Sequence, residues 1–167
     1  MSATQIRAQV ATFFQSANIP GLNKVYAAPP WWADGASWQL NAQDGAGAIG
    51  ALHIVDQSES RLTVPYQTGS KRVDYLLGLM VFYQYLQPQT LIPQTEDAWN
   101  AALDVILDGV AALLRSDPQC GIPGGEVWQS AEDPHDVNTR RDIPRNLPGK
   151  VLSWNVVEFH VTEIIQA

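Results

Sequence analysis

The residues with the most obvious chemical potential stand together at Glu132-Asp133-Pro134-His135-Asp136. Three carboxylates and an imidazole this close could serve as a general base, or as part of a metal-assisted hydrolytic site. Two of the carboxylates flank a proline, and no distant residue has the spacing of a further ligand. The expected reading is therefore a solvated loop between two strands. Cys120 is the only cysteine, so an internal disulfide and a multi-cysteine metal site are both excluded. It lies in the turn-like Pro118-Gln119-Cys120-Gly121 with no neighbouring base, as expected of a structural thiol. His53 falls within a strand pattern and is expected to be satisfied or half-exposed, because no second ligand matches it. Gly45-Ala46-Gly47-Ala48-Ile49-Gly50 has the spacing of a dinucleotide loop. No strong strand precedes it, however, and a strand instead of a helix is expected to follow. Neither a Gly-x-Ser-x-Gly elbow nor a His-Glu-x-x-His helix occurs. Arg140-Arg141, with Arg145 nearby, is the one basic cluster. Consecutive strand residues point to opposite faces, so at most one of the pair meets any single partner. Carboxylates of this chain or of a neighbour are the expected partners. No catalytic, cofactor-binding or metal-binding residue is assigned.

The elements that carry these residues follow from periodicity. Thr4 to Ala17 reads as a helix with Ile6, Val10, Phe13, Phe14 and Ala17 on one face, ended by Asn18-Ile19-Pro20-Gly21. Lys24 to Ala27 is a short strand, halted by Pro29-Pro30. Trp31, Trp32 and Trp38, separated by turn residues, fit neither a regular helix nor a regular strand. They either fold onto the domain's own core or pack on a neighbour, and tryptophan is common in both settings. Gly47 to Val55 is a strand, Asp56 to Ser60 a turn and Arg61 to Val64 a returning strand, together a hairpin. Val73 to Leu86 is long enough for a helix. Its β-branched and aromatic content, Gly78 and the following Pro88 favour a long strand. Tyr75, Leu77, Leu79, Val81, Tyr83 and Tyr85 then share one face, and Leu76, Gly78, Met80 and Phe82 the other. Both faces are apolar, so one takes a helix and the other needs a second layer or another subunit.

Thr95 to Arg115 reads as the longest helix. Thr95 is its N-cap, Glu96 and Asp97 complement its N-terminus, and Trp99, Leu103, Ile106, Val110 and Leu113 form its apolar stripe. Glu126 to Gln129 and Asp136 to Ile143 are strands, and Lys150 to Ile165 a long terminal one. The fold class expected is α+β: one domain over residues 1–167, with a mixed or antiparallel sheet packed against an N-terminal helix and one long central helix.

Composition narrows the duties such a domain can have. At 167 residues there is room for one sizeable core. The charged fraction is 16%, against about 25% in an ordinary globular protein. Six Trp and five Tyr on so weakly charged a chain imply that a partner covers part of its surface. The formal charge of −7 argues against gripping nucleic acid, which needs clustered Lys and Arg. Acidity is compatible with a duplex passing nearby, because it keeps the duplex from adhering. The first residues lack a basic-then-apolar signal, and no apolar run reaches the ~18 residues of a membrane span. Synthesis and folding in a cytoplasm are expected.

The layout of helix, strands with one long apolar member, long helix and further strands resembles the tail-terminator (tail-completion) proteins of long-tailed bacteriophages. Three stretches carry the likeness, with a texture similar to neck and tail proteins of actinobacterial phages. They are Tyr26-Ala27-Ala28-Pro29-Pro30-Trp31-Trp32-Ala33-Asp34-Gly35, Arg72-Val73-Asp74-Tyr75 and Ser153-Trp154-Asn155-Val156-Val157-Glu158-Phe159. The resemblance implies a structural virion protein with no catalytic residues and no cofactor. It implies a homo-oligomeric ring, usually a hexamer, that caps the tail tube and stops its polymerisation. Such a ring meets the tail-tube protein on one side and the head-tail connector on the other, and DNA crosses its lumen without specific binding. A ring needs two different patches per subunit, and the candidates are Trp31, Trp32, Trp38, Tyr75, Leu77, Leu79, Tyr83, Arg140 and Arg141. Alternatives are another neck component, such as a head-tail connector or minor tail protein. More remote ones are a metal-assisted hydrolase built on the Glu132 to Asp136 loop and a ligand-binding domain with an aromatic pocket.

Overall fold

The computed structural model describes residues 2–29, 46–61, 71–86, 96–117, 120–121, 127–128, 137–147 and 150–165. Helix α1 (Ala3–Ser16) starts at a capping box in which Ser2 and Gln5 satisfy each other's backbone N–H groups. Ile6, Val10, Ala11 and Phe14 are its buried face. Asn18 (φ 49°) and Gly21 (φ 84°) turn the chain into β1 (Leu22–Tyr26). Then follow β2 (Ala46–Arg61), β3 (Lys71–Leu86), α2 (Glu96–Ser116), β4 (Val127–Trp128), β5 (Val137–Arg141), β6 (Arg145–Leu147) and β7 (Lys150–Ile165).

The sheet runs β1-β2-β3-β7-β4, with β5 and β6 also paired to β7 along the same outer edge as β4. It is mixed: β1 lies parallel to β2, and every other pairing is antiparallel. β3 and β7 stay in one register along their whole length, from Lys71 opposite Ile165 to Leu86 opposite Lys150. The terminal strand has the bounds that its alternation predicts.

One expectation is corrected here. Asp56 to Ser60 is not a turn. After a bulge between Ile54 and Asp56, β2 continues through these residues, pairing with β3 as far as Arg61 opposite Lys71. Their polarity reflects a stretch of β2 exposed on both faces, and the Lys71–Glu59 ion pair lies beside it. Of the expected return strand, Arg61 to Val64, Arg61 closes β2 and Leu62 to Val64 lie outside the described residues.

Both described helices cover the odd-numbered face of β3. Phe14 of α1 meets Phe159 of β7 edge-on, with centroids 5.9 Å apart. The stripe of α2, including Trp99, Leu103, Ile106, Leu107, Val110 and Leu114, joins the same buried cluster. The expected single long central helix is not borne out: among the described residues two helices share the cover. The two are locked through the turn between α1 and β1, where a β-carbon added at Gly109 would stand 2.8 Å from Ile19 Cγ2.

Candidate assembly surfaces

Tyr75, Leu77, Leu79 and Tyr83, expected at a subunit contact, are fully buried in the chain's own core. The helices take this face of β3, and the reason lies across the sheet. Their partners on β7 are Val161, Phe159, Val157 and Ser153, of which the first three are apolar. That double row offers the larger dry surface for two helices to seal. Burial pushes the Tyr83 phenol up to about 12, with Tyr85 adding to the shift, so this group stays protonated. Trp31, Trp32, Trp38 and the Glu132 to Asp136 loop lie outside the described residues.

The even-numbered face is the less covered of the two. Leu76, Met80 and Phe82 of β3 and Leu152 and Val156 of β7 are half-buried there, while Trp154 is 45% exposed and Val55 43%. Phe82 and Trp154 are direct cross-strand partners and meet edge-to-face at 4.0 Å. On the same face the imidazole of His53 lies over Gly78, where an added β-carbon would come within 2.4 Å of Cε1. Glycine here makes the seat for the ring. The other described large apolar side chains most open to solvent are Val105 on α2 and Ile143, 83% exposed between β5 and β6.

The charges on this face are organised in pairs. Arg72 Nε donates to Asp74 Oδ1 at 2.8 Å, and Thr162 Oγ1 donates to the same oxygen at 2.7 Å. Burial works to raise the Asp74 carboxyl. The bonds from Thr162 and Arg72, with the positive charges of Arg72 and His160, outweigh it and hold the group below its ordinary value. A carboxylate depressed in the fold contributes stability in full above its unfolded value of 3.8. That contribution is lost as pH falls through the lower folded value. The Asp74→Asn chain should therefore show a shallower loss of stability below about pH 4 than the native chain. Equal slopes in acid denaturation would contradict this.

Arg140 and Arg141 point to opposite faces, as consecutive strand residues must. Arg140 pairs with Glu158 at 3.0 Å on the even face, and Arg141 reaches across the core edge to Asp104 of α2. Their partners are thus carboxylates of this chain. Arg140 is 68% exposed while Glu158 is only 12% exposed, so the guanidinium is the solvent-facing member of the pair.

Cys120 is buried, and burial together with Asp117 pushes its thiol up to about 12, a structural environment and not that of a nucleophile. Among the described residues no group of three or more His, Cys, Asp or Glu is placed to hold a metal ion. None of the described helices is long and apolar enough to cross a membrane.

Sequence reasoning missed the Asp74–Arg72–Thr162 network and the buried Glu163, whose carboxylate accepts from the Tyr75 hydroxyl at 3.4 Å. Strict alternation from Val157, Phe159 and Val161 would have placed Glu163 on the covered face. No protein-family model matches the chain, and no curated protein matches it.

Proposed function

We propose that this chain is a structural subunit of a long-tailed phage particle, assembling into a ring that caps the tail tube and docks it to the head. The observation that carries the reading is the one-sided sheet. One face is sealed by two helices, and the other presents Trp154, Val55 and the Phe82 edge half-open to solvent. A cross-strand aromatic pair on a half-open apolar face is what interface cores are built from. Val105, exposed on α2, which covers the opposite face, supplies the second, different patch that a closed head-to-tail ring requires. Net acidity lets a duplex pass through the lumen without sticking.

Light scattering over a concentration series, with electron microscopy of the same sample, is expected to find rings of about six copies. Trp154→Glu should abolish the ring and leave the far-ultraviolet circular dichroism unchanged. A strict monomer at high concentration and in virions would sink the ring. Deleting the gene should yield overlong tails without heads, and tails of normal length would remove the capping role.

A further inference from the structure

β1 runs parallel to its neighbour β2, so the chain between them cannot return as a hairpin and must cross the sheet on one face. Tyr26 stands opposite Ala51, while β2 starts at Ala46, five positions back, or about 17 Å along the strand. The nineteen residues from 27 to 45 are long enough for that return on either face.

The odd face above this pair of strands is already taken by α1, whose Ala8, Ala11 and Thr12 lie beside Val25 and Ala27. Handedness also selects the even face. The Val25 side chain is buried under the helices, and its N–H points away from β2, donating to Oε1 of Gln15 at 2.9 Å. For an L-residue so placed, β2 lies to the left of β1, seen from the helices with β1 running upward. A right-handed crossover, the hand of about 98% of such connections, then passes behind the sheet, on the even face.

Burial agrees. Ile49 and Ala51 pair with Phe82 and Met80 and so share the even face. Ile49 is 5% exposed and Ala51 0%, yet neither belongs to the cluster that the helices seal. Their sheet neighbours on that face are Lys24, which is exposed, and Tyr26, Phe82 and Met80, which are half-buried. A tyrosine and a methionine can hide the alanine between them. An isoleucine beside an exposed lysine needs a cover from above the sheet. Pro29, three residues beyond the end of β1, is itself buried.

We propose that residues 30–45 are this cover: they cross the even face above β1 and β2, and their large apolar side chains seal Ile49. The stretch carries four such side chains, Trp31, Trp32, Trp38 and Leu40. Its only charges, Asp34 and Asp44, are opposite in sign to Lys24, the exposed charge of β1 on that face. The three tryptophans then belong to a second layer of the chain's own fold. A partner meets the even face only on its β3–β7 side, where Trp154 stands. None of this rests on the ring, and it holds for a single copy as well as for an assembly.

The first test takes the native chain, methyl-labelled at isoleucine and alanine, into nuclear magnetic resonance. The Ile49 and Ala51 methyls should show Overhauser contacts with residues 30–45. In a sample mixing labelled and unlabelled copies, those contacts should prove to lie within one chain. Contacts to other segments only, or only between copies, would overturn the proposal. The second test follows thiol labelling in an Ile49→Cys chain, with residues 30–45 either native or replaced by a Gly-Ser linker of equal length. The linker should speed labelling at position 49 by about tenfold or more, because access to a thiol governs its rate. Cys120, buried in the helix-side cluster, should stay slow and so report an intact fold. Position 49 labelling equally slowly in both chains would also overturn the proposal. Should Cys120 react as well, the fold is lost in that variant, and the methyl contacts of the native chain decide.

Discussion

Phe159→Ala is expected to cost about 3–5 kcal/mol, the largest effect of any single truncation considered. The ring is fully buried, sits opposite Leu77 in the middle of the sheet, and receives the edge of Phe14 from α1. Removing it deletes apolar contact with a helix and a neighbouring strand at once, and leaves a cavity that the rigid ladder between β3 and β7 cannot close. Stability of a domain this size is on the order of 5–15 kcal/mol, so the variant would keep only part of it. The melting temperature should fall by roughly 6–20 °C, at about 2–4 °C per kcal/mol. Phe82→Ala, on the half-open face, should cost clearly less in stability. Equal losses at the two positions would mean that the even face is as well sealed as the odd one.

The second large effect is one of crowding. At Gly109 a β-carbon would stand 2.8 Å from Ile19 Cγ2, closer than packed carbons allow. Gly109→Val should therefore push α2 from the turn after α1 and destabilise by about 1–3 kcal/mol. The loss of glycine's backbone freedom works the other way, but valine is a modest helix former, and the contact dominates. The decisive measurement is a double-mutant cycle in denaturant. In an Ile19→Ala background the cost of Gly109→Val should shrink, giving a coupling of opposite sign to the single losses. Strict additivity would show that the close approach is not what selects glycine.

How much of this could be read in advance depends on whether the information is periodic or relational. The bounds of β7, the division of β3 into two apolar faces, the stripe of α2 and the opposed arginines at 140 and 141 all follow from period 2 or 3.6. Both faces of β3 are apolar, however, and nothing along that strand says which one the helices take. The choice is made by β7, because Val157, Phe159 and Val161 stand opposite one row only. The interface candidates on β3 therefore fell on the core row. Asp56 to Ser60 misled in a different way. A polar run signals a turn when it joins two buried strands, yet it also describes a strand end that is exposed on both faces, and only the pairing with Lys71 to Leu76 separates these. The pairing of Gln15 with Val25 joins a helix to a strand edge, and no spacing rule along the sequence predicts it.

The unbroken register between β3 and β7 has a mechanical consequence. A pull along the strands would strain the whole sixteen-residue ladder together, because sliding one strand over the other must break every bond in the same step. A pull across them would part the bonds one after another, at a far smaller peak force. In this geometry the direction of loading, and not the number of bonds alone, sets how much tension the domain can bear.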